Sequence, residues 1–424
     1  MNIHTQRLID RWLGQALCYV VSGWARLARA LKPSSQTPRE IKHLLVIMLS
    51  EMGSMVLAGP MFAQLRARYP QATVHVLQLS KNQQVASLLR IAQPEHMHGL
   101  DDSSLFALLP GLWRVTRELR RVPVDAVIDC ELFSRISALL AYLTGAPRLV
   151  GFTRHTQEGL YRGSFINCAV PYNPYRHIAQ QFLTLVDALE APASLPRSKW
   201  SASNTLPRES GMAVDFIDLE LTEYRARLHA DFPVFSARKL VLVYASGGLL
   251  PERAWPAAHY VALVRGLAAR GHAVGLIGLA EDQPLAQSIL RAVNSAPDVA
   301  YLCCDLTGYT ASIRELLMLF HQGDLLVTND GGPGHFASLT PIRTFMFFGP
   351  ETSRLYGPLS PRATVFDLAL PCSPCLSAYN HRRTFCDGDN QCLKRIASED
   401  VLALALRELA ETELTSPPST VAQP

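Results

Sequence analysis

Asp330-Gly331-Gly332-Pro333-Gly334-His335 lies between two short apolar runs. Before it, Asp324-Leu325-Leu326-Val327-Thr328 reads as a buried strand. After it, residues 336–339 read as one short helix, and Thr344-Phe345-Met346-Phe347-Phe348 as a second strand ending at Gly349-Pro350. A strand that breaks into glycines and restarts as a helix gathers free backbone N–H groups at one point. With the helix dipole behind them, such donors suit a phosphate or diphosphate. Pro333 fits the first helical position, where its missing N–H is not needed. A tight βα turn without ligand has the same glycine pattern; His335, expected at the same spot, favours phosphate binding.

Working outward, the second half of the chain repeats a βα pattern. Residues 240–245 read as a strand, 257–270 as a helix opened by Pro256 and closed by Gly271, and 273–279 as a strand. A helix follows, then a strand at 299–303, a helix at 312–321 and the strand that enters the glycine motif. Ser398, Glu399 and Asp400 open a final helix through residue 409, a hydroxyl cap followed by early acids. The first half reads likewise: strands at 43–49, 73–79 and 126–130, helices at 55–68 and 133–144. Such βαβ patterning implies parallel sheets with right-handed crossovers. The expected organisation is an amphipathic helix and linker (1–38), a first Rossmann-like domain (39–200), an interdomain segment (201–237), a second Rossmann-like domain (238–397), a C-terminal helix (398–414) and a disordered tail (415–424). Two such domains facing a cleft suit an enzyme that joins two substrates.

At 424 residues, 48% hydrophobic and 18% charged, the chain has the composition of a globular α/β protein. A net charge of +4 is too mild for a nucleic-acid binder and is compatible with anionic small molecules or an anionic membrane surface. Nine cysteines in so long a chain argue against a secreted disulfide framework. Cys372, Cys375, Cys386 and Cys392 lie close in sequence, in a loop-like stretch; a small zinc knot and reduced thiols bracing a loop are the two readings.

Near the N-terminus, Ile9, Leu13, Leu17, Val20, Trp24, Leu27 and Leu31 recur at helical spacing, flanked by Arg7, Arg11, Arg26 and Arg29. The uncharged run from Trp12 to Ala25 is too short to span a bilayer comfortably. An amphipathic helix in the membrane interface explains the pattern, and a helix packed on the protein's own surface is the rival. Residues 33–38, Pro-Ser-Ser-Gln-Thr-Pro, read as a linker.

The Asp330–His335 block, followed by Phe348-Gly349-Pro350-Glu351 and Gly357-Pro358, resembles the signature of family 9 glycosyltransferases, the lipopolysaccharide heptosyltransferases and their relatives. Arg253-Ala254-Trp255-Pro256 resembles the family's Lys-x-Trp-Pro segment, and Thr307-Gly308 with Ile313-Arg314-Glu315-Leu316 the stretch before the nucleotide loop. The four clustered cysteines also recur in many members. The resemblance implies a GT-B fold, with the nucleotide-sugar donor on the C-terminal domain and the acceptor on the N-terminal one. It implies inverting transfer of a sugar, heptose by family default, to a glycolipid or glycan, with no metal or other cofactor. Carried across, Asp330, Gly331, Gly332, Gly334 and His335 would hold diphosphate and sugar. Arg253 would stand for the family lysine. Ser246, Gly247 and Gly248 would form a second backbone cradle. Glu281 would either face the ribose or simply begin a helix.

One departure is clear. The family has Gly-Asp in its first turn, the aspartate taking a proton from the acceptor; here Gly53 is followed by Ser54. Glu51 is the nearest carboxylate, and either replaces that base or complements the dipole of the next helix. Glu131 and Arg135, with Asp129 at the same strand end, and Arg154 and Arg162 in a glycine-bounded loop, are candidate acceptor contacts; a solvated charged loop is their other reading. Such donors are cytosolic and glycolipid acceptors lie in the inner leaflet, so the expected place is the cytoplasmic face of the inner membrane.

Overall fold

The computed structural model describes residues 9–31, 40–49, 52–132, 134–153, 160–190, 206–248, 250–295, 297–377, 386 and 389–415. Glu51, Arg154, the 33–38 linker, most of 192–207 and the tail beyond 415 lie outside the described residues. The chain divides into two compact units that meet between residues 213 and 214, with short later stretches exchanged.

The first unit holds a six-stranded parallel sheet: β1 (His43–Ile47), β2 (Thr73–Leu79), β3 (Met97–Leu100), β4 (Ala126–Asp129), β5 (Arg148–Thr153) and β6 (Cys168–Pro171), in spatial order β3-β2-β1-β4-β5-β6. The second repeats the plan with β7 (Leu240–Tyr244), β8 (Ala273–Gly278), β9 (Cys303–Thr307), β10 (Leu325–Asn329), β11 (Arg343–Phe348) and β12 (Ala363–Asp367), in order β12-β11-β10-β7-β8-β9. Each is a doubly wound sheet whose strand order reverses once, between β1 and β4 and between β7 and β10. Ligands of such sheets bind outside the strands' carboxyl ends at that reversal. Central strands such as Leu-Leu-Val-Ile in β1 and Leu-Val-Leu-Val-Tyr in β7 are buried along nearly their whole length, as strands covered on both faces must be.

Four elements differ from expectation. The helix expected over 55–68 is two, Met52–Leu57 and Gly59–Arg68, because Pro60 cannot donate to the preceding turn. Gly59 also lets the chain at Ser210 close in: a Cβ there would stand 2.0 Å from the Ser210 carbonyl oxygen. The strand expected at 299–303 is instead a helical turn, Pro297–Ala300; β9 starts at Cys303, in register with Val274 of β8. The helix after the glycine motif begins at Gly332 and runs to Ala337, four residues before its expected start. Finally, helix Asp218–Asp231 occupies the expected interdomain segment and belongs to the second unit.

The N-terminal helix, Gln15–Leu31 with a π-helical turn Asp10–Gly14 before it, packs on the first unit. Cys18 and Ala25 join its core. No helix among the described residues is long and apolar enough to cross a membrane.

Candidate active site

In the second unit the reversal between β7 and β10 is organised by Asn329, the last residue of β10. Its Oδ1 accepts from the Trp255 backbone N–H and the Tyr260 hydroxyl, both at 2.9 Å. Its Nδ2 donates to the carbonyls of Ala245 and Ser246 at 3.1 and 3.0 Å. One buried amide therefore ties the loop after β7 to the segment carrying Arg253. Trp255 is fixed further by stacking on Phe347, ring centroids 4.5 Å apart, and by donating from Nε1 to the Ile396 carbonyl. Nothing in the sequence pattern singles out Asn329, since it reads as the polar end of an apolar strand.

Arg253 reaches both carboxyl groups at this edge. Its Nε lies 3.4 Å from Asp330 Oδ2, and its Nη2 donates to Glu351. Asp330 and Glu351 thus share one guanidinium. Burial raises both above the ordinary carboxylate range; Arg253 opposes the shift, and Glu351 reaches about 8. A buried cation therefore stands against two carboxyl groups, of which Glu351 keeps its proton at neutral pH. Glu351 was legible only as part of a motif, its chemistry invisible until the fold set it beside Asp330.

The glycines separate into two kinds. A Cβ on Gly331 would meet nothing nearer than 3.9 Å, and one on Gly332 nothing nearer than 3.5 Å. Those are ordinary contact distances, so the protein's own packing does not demand glycine there, and bare backbone is what a close-lying ligand requires. Gly334 differs, because its Cβ would strike Met346 at 2.8 Å. Its smallness seats the helix on β11, so packing alone accounts for glycine at this position. His335 and Asp330 are equally hidden, each 6% exposed.

Across the same edge, Gly248 has φ +59° and donates its N–H to Ser246 Oγ at 3.1 Å. Gly247 is required by the turn, since a Cβ would lie 2.6 Å from the Leu250 carbonyl oxygen. Glu281 is exposed on the turn after β8, near enough to Tyr244 to help raise that phenol's pKa, after burial and Asp282. Tyr244, which sequence reasoning missed, lies 3.7 Å from where a Gly248 Cβ would be. Ser246, Gly247, Gly248, Arg253, Glu281, Asp330, Gly331, Gly332 and His335 thus all belong to one sheet's carboxyl edge and its neighbouring turns.

In the first unit, the reversal between β1 and β4 brings Glu131 to the loop after β1. Its Oε1 accepts the Leu49 N–H at 2.7 Å, while Asn82 Nδ2 donates to the Leu49 carbonyl at 3.1 Å. Leu49 is therefore clamped two residues before Glu51. Asp129 is buried and rises to about 6 through that burial, against the pull of Arg162.

Arg135 and Arg162 require correction as acceptor contacts. Arg162 is 2% exposed, pairs with Asp129 and donates to the Ser134 and Phe152 carbonyls at 2.8 and 3.2 Å. Arg135, 4% exposed, donates to the Tyr161 carbonyl at 2.9 Å and pairs with Asp10 at 3.3 Å. Both guanidinium groups are consumed in holding the unit together, and neither is presented to a substrate.

Cys372, Cys375, Cys386 and Cys392 are free thiols. Burial raises Cys375 and takes Cys392 to about 11, and the four lie near enough to influence one another. Among the described residues, no group of three or more His, Cys, Asp or Glu is arranged to hold a metal ion. Their segment also meets the turn carrying Arg253: Asn390 Nδ2 donates to the Glu252 carbonyl at 3.0 Å.

The model of glycosyltransferase family 9 (heptosyltransferase) matches residues 112–384. Lipopolysaccharide heptosyltransferase 2 of Salmonella typhimurium is 25% identical over 329 residues, covering 77% of this chain and 88% of that relative. Among solved structures, the Escherichia coli ADP-heptose lipopolysaccharide heptosyltransferase II superposes with a TM-score of 0.67 at 21% identity, covering 88% of this chain and 99% of that one. The E. coli heptosyltransferase WaaC with ADP gives 0.58 at 14% identity, covering 86% and 99%. The paired doubly wound units have the GT-B fold of these structures. Both the matched stretch and the fold lead to one assignment: the chain belongs to glycosyltransferase family 9, the heptosyltransferase family.

Proposed function

We propose that this glycosyltransferase moves heptose, with inversion, from a nucleoside-diphosphate donor to a hydroxyl of a lipopolysaccharide-core or related glycolipid. The observation that carries the reading is the position of Arg253, a cation held by Asp330 and Glu351 beside the open backbone of Gly331 and Gly332. As the sugar leaves, negative charge grows on the diphosphate. A fixed guanidinium, His335 and backbone N–H groups offset it without reorganising, and the scheme calls on no metal or cofactor. Ser246, Gly247 and Gly248 would cradle the phosphates from the β7 side, and Glu281 would meet the ribose. The relatives' names, lipopolysaccharide heptosyltransferase and heptosyltransferase with ADP, support heptose and an adenine nucleotide.

Glu51 is proposed as general base, with Glu131 steadying its loop through Leu49. Arg154 and Glu131 remain the acceptor candidates. The acceptor's lipid places the reaction at the cytoplasmic face of the inner membrane, with the enzyme peripheral there.

Incubating purified protein with a panel of nucleotide-sugars and lipid A-core acceptors tests the reading. Release of nucleoside diphosphate only with both substrates is expected, and Glu51→Gln should lower kcat about 100-fold or more with donor affinity unchanged. Undiminished turnover removes Glu51 from the mechanism. A second reading follows from Ser54, which stands where the family has its aspartate: a nucleotide-binding module that has lost transfer. Donor binding without turnover under every acceptor would favour it.

A further inference from the structure

The N-terminal helix is packed the wrong way round for a helix in water. Its inward face is small and polar: Asp10, Gly14, Cys18, Ser22 and Ala25 are buried. Its outward face carries Trp12, Leu13, Leu17, Val20, Trp24, Leu27 and Leu31, with Trp12, Val20 and Trp24 exposed by 69, 69 and 65%. A surface helix normally buries such a stripe and shows its polar side. Arg11, Arg26 and Arg29 are exposed along the same helix, and its one acid, Asp10, is turned inward.

The inward face is specific. Asp10 Oδ1 accepts the backbone N–H groups of Arg135 and Ile136 at 2.7 and 3.1 Å, capping helix Arg135–Leu143. Ser22 Oγ accepts from the Tyr161 hydroxyl and the Ser164 N–H, both at 2.9 Å, and donates to the Cys18 carbonyl. Tyr19 stacks on Tyr161, ring centroids 4.6 Å apart. Gly14 permits this closeness, since its Cβ would lie 3.1 Å from that of Arg135. The helix cannot roll over to hide its apolar stripe without breaking all of these bonds.

We propose that residues 9–31 dock on the surface of an anionic bilayer, lying in the headgroup layer with the apolar stripe down. The inward face then pins residues 161–164 and the carboxyl end of β4 directly above the lipid. Outward tryptophans and arginines without acids match anionic headgroups over an acyl boundary. A second copy packing through the same face would set arginines against arginines. The proposal rests on the glycolipid reading for its purpose: the edge bearing Asp129 and Glu131 is held where a lipid-linked acceptor presents its sugar.

Flotation of the full chain with phosphatidylcholine vesicles, with and without 30% phosphatidylglycerol, is the test. The expected result is recovery with the anionic vesicles at least tenfold above that of a Trp12→Ser, Val20→Ser, Trp24→Ser variant. An Arg11→Gln, Arg26→Gln, Arg29→Gln variant should lose the preference for phosphatidylglycerol. Equal recovery of wild type and the serine variant overturns the proposal, and so does a wild-type dimer that the serine variant converts to monomer without vesicles. Unchanged melting of both variants controls for folding; the substituted side chains are exposed, and of them Arg29 also donates to the Ser164 carbonyl, at 3.3 Å. Flotation needs neither donor nor acceptor. Transfer to a lipid-free acceptor without vesicle binding would therefore sink the docking and leave the sugar transfer standing, and the reverse result would do the opposite.

Discussion

Glu351 and Asp330 share one buried cation inside the second unit: Arg253 Nη2 donates to Glu351, and its Nε lies 3.4 Å from Asp330 Oδ2. Burial, with Asp330 alongside and against the pull of Arg253, brings Glu351 to about 8, so Glu351 keeps its proton at neutral pH. Above pH 8 it gains a negative charge beside the proposed diphosphate site. The donor KM should rise about tenfold between pH 7 and 9.5, a loss of about 1.4 kcal/mol. Glu351→Gln, fixed in the neutral form, should hold KM within about twofold. Superimposable pH profiles for the two proteins would refute the assignment.

Asn329 makes four hydrogen bonds, those to Trp255, Tyr260 and Ala245 buried and that to Ser246 part-buried. Asn329→Ala leaves those partners unmatched, at about 1–3 kcal/mol for each one that water cannot reach. A total destabilisation of roughly 2–4 kcal/mol is expected by urea titration. Donor affinity should fall as well, because the loop at Ser246 and the segment at Arg253 lose their common anchor. A stable variant with unaltered donor binding would show that the loop holds itself.

Both sheets' central strands were legible because an apolar run bounded by glycine or proline has few alternatives, as at β7 and β10. The Asp330–His335 turn was legible because its glycines have a conformational reason. β3, β5, β6 and β12, four to six residues each, escaped notice; so short a run carries almost no periodicity. The charged residues misled more. Arg135 after a strand end and Arg162 in a glycine-bounded loop look like ligands until their partners appear, and Asp10 is 125 positions from Arg135. The outward turn of the N-terminal stripe was equally hidden, because periodicity finds a face without saying which way it points.

Asp10 joins the N-terminal helix to helix Arg135–Leu143 through two backbone N–H groups and a buried guanidinium. Asp10→Ala strips the carboxylate from an arginine that is 4% exposed, and removing one partner of a buried pair costs about 3–5 kcal/mol. Asp10→Asn keeps an oxygen to cap the helix and should cost roughly 1–2 kcal/mol. Differential scanning calorimetry of the full chain reads the order: wild type, then Asn, then Ala. Equal melting of all three would mean the helix contributes nothing through this contact.

His75 should make the first unit acid-labile. Its Nε2 lies 3.3 Å from His43 Nδ1, its Nδ1 lies 3.5 Å from His98 Nε2, and the His96 ring centroid is 4.6 Å away. The row ends at Glu118, 3.5 Å from His98 and the carboxylate that partly offsets burial there. Burial first, and then the three neighbouring imidazoles, push His75 down to about 4 from an ordinary 6.5. The folded value lies below the unfolded one, so between them the unfolded chain binds the extra proton. Stability is complete above pH 6.5 and declines as pH falls towards 4, by about 3 kcal/mol in full. The urea midpoint of the wild type should drop between pH 7.5 and 4.5. His75→Gln, which takes no proton, should be less stable at pH 7.5 but should lose visibly less on acidification. Parallel losses in both proteins would place the acid sensitivity elsewhere.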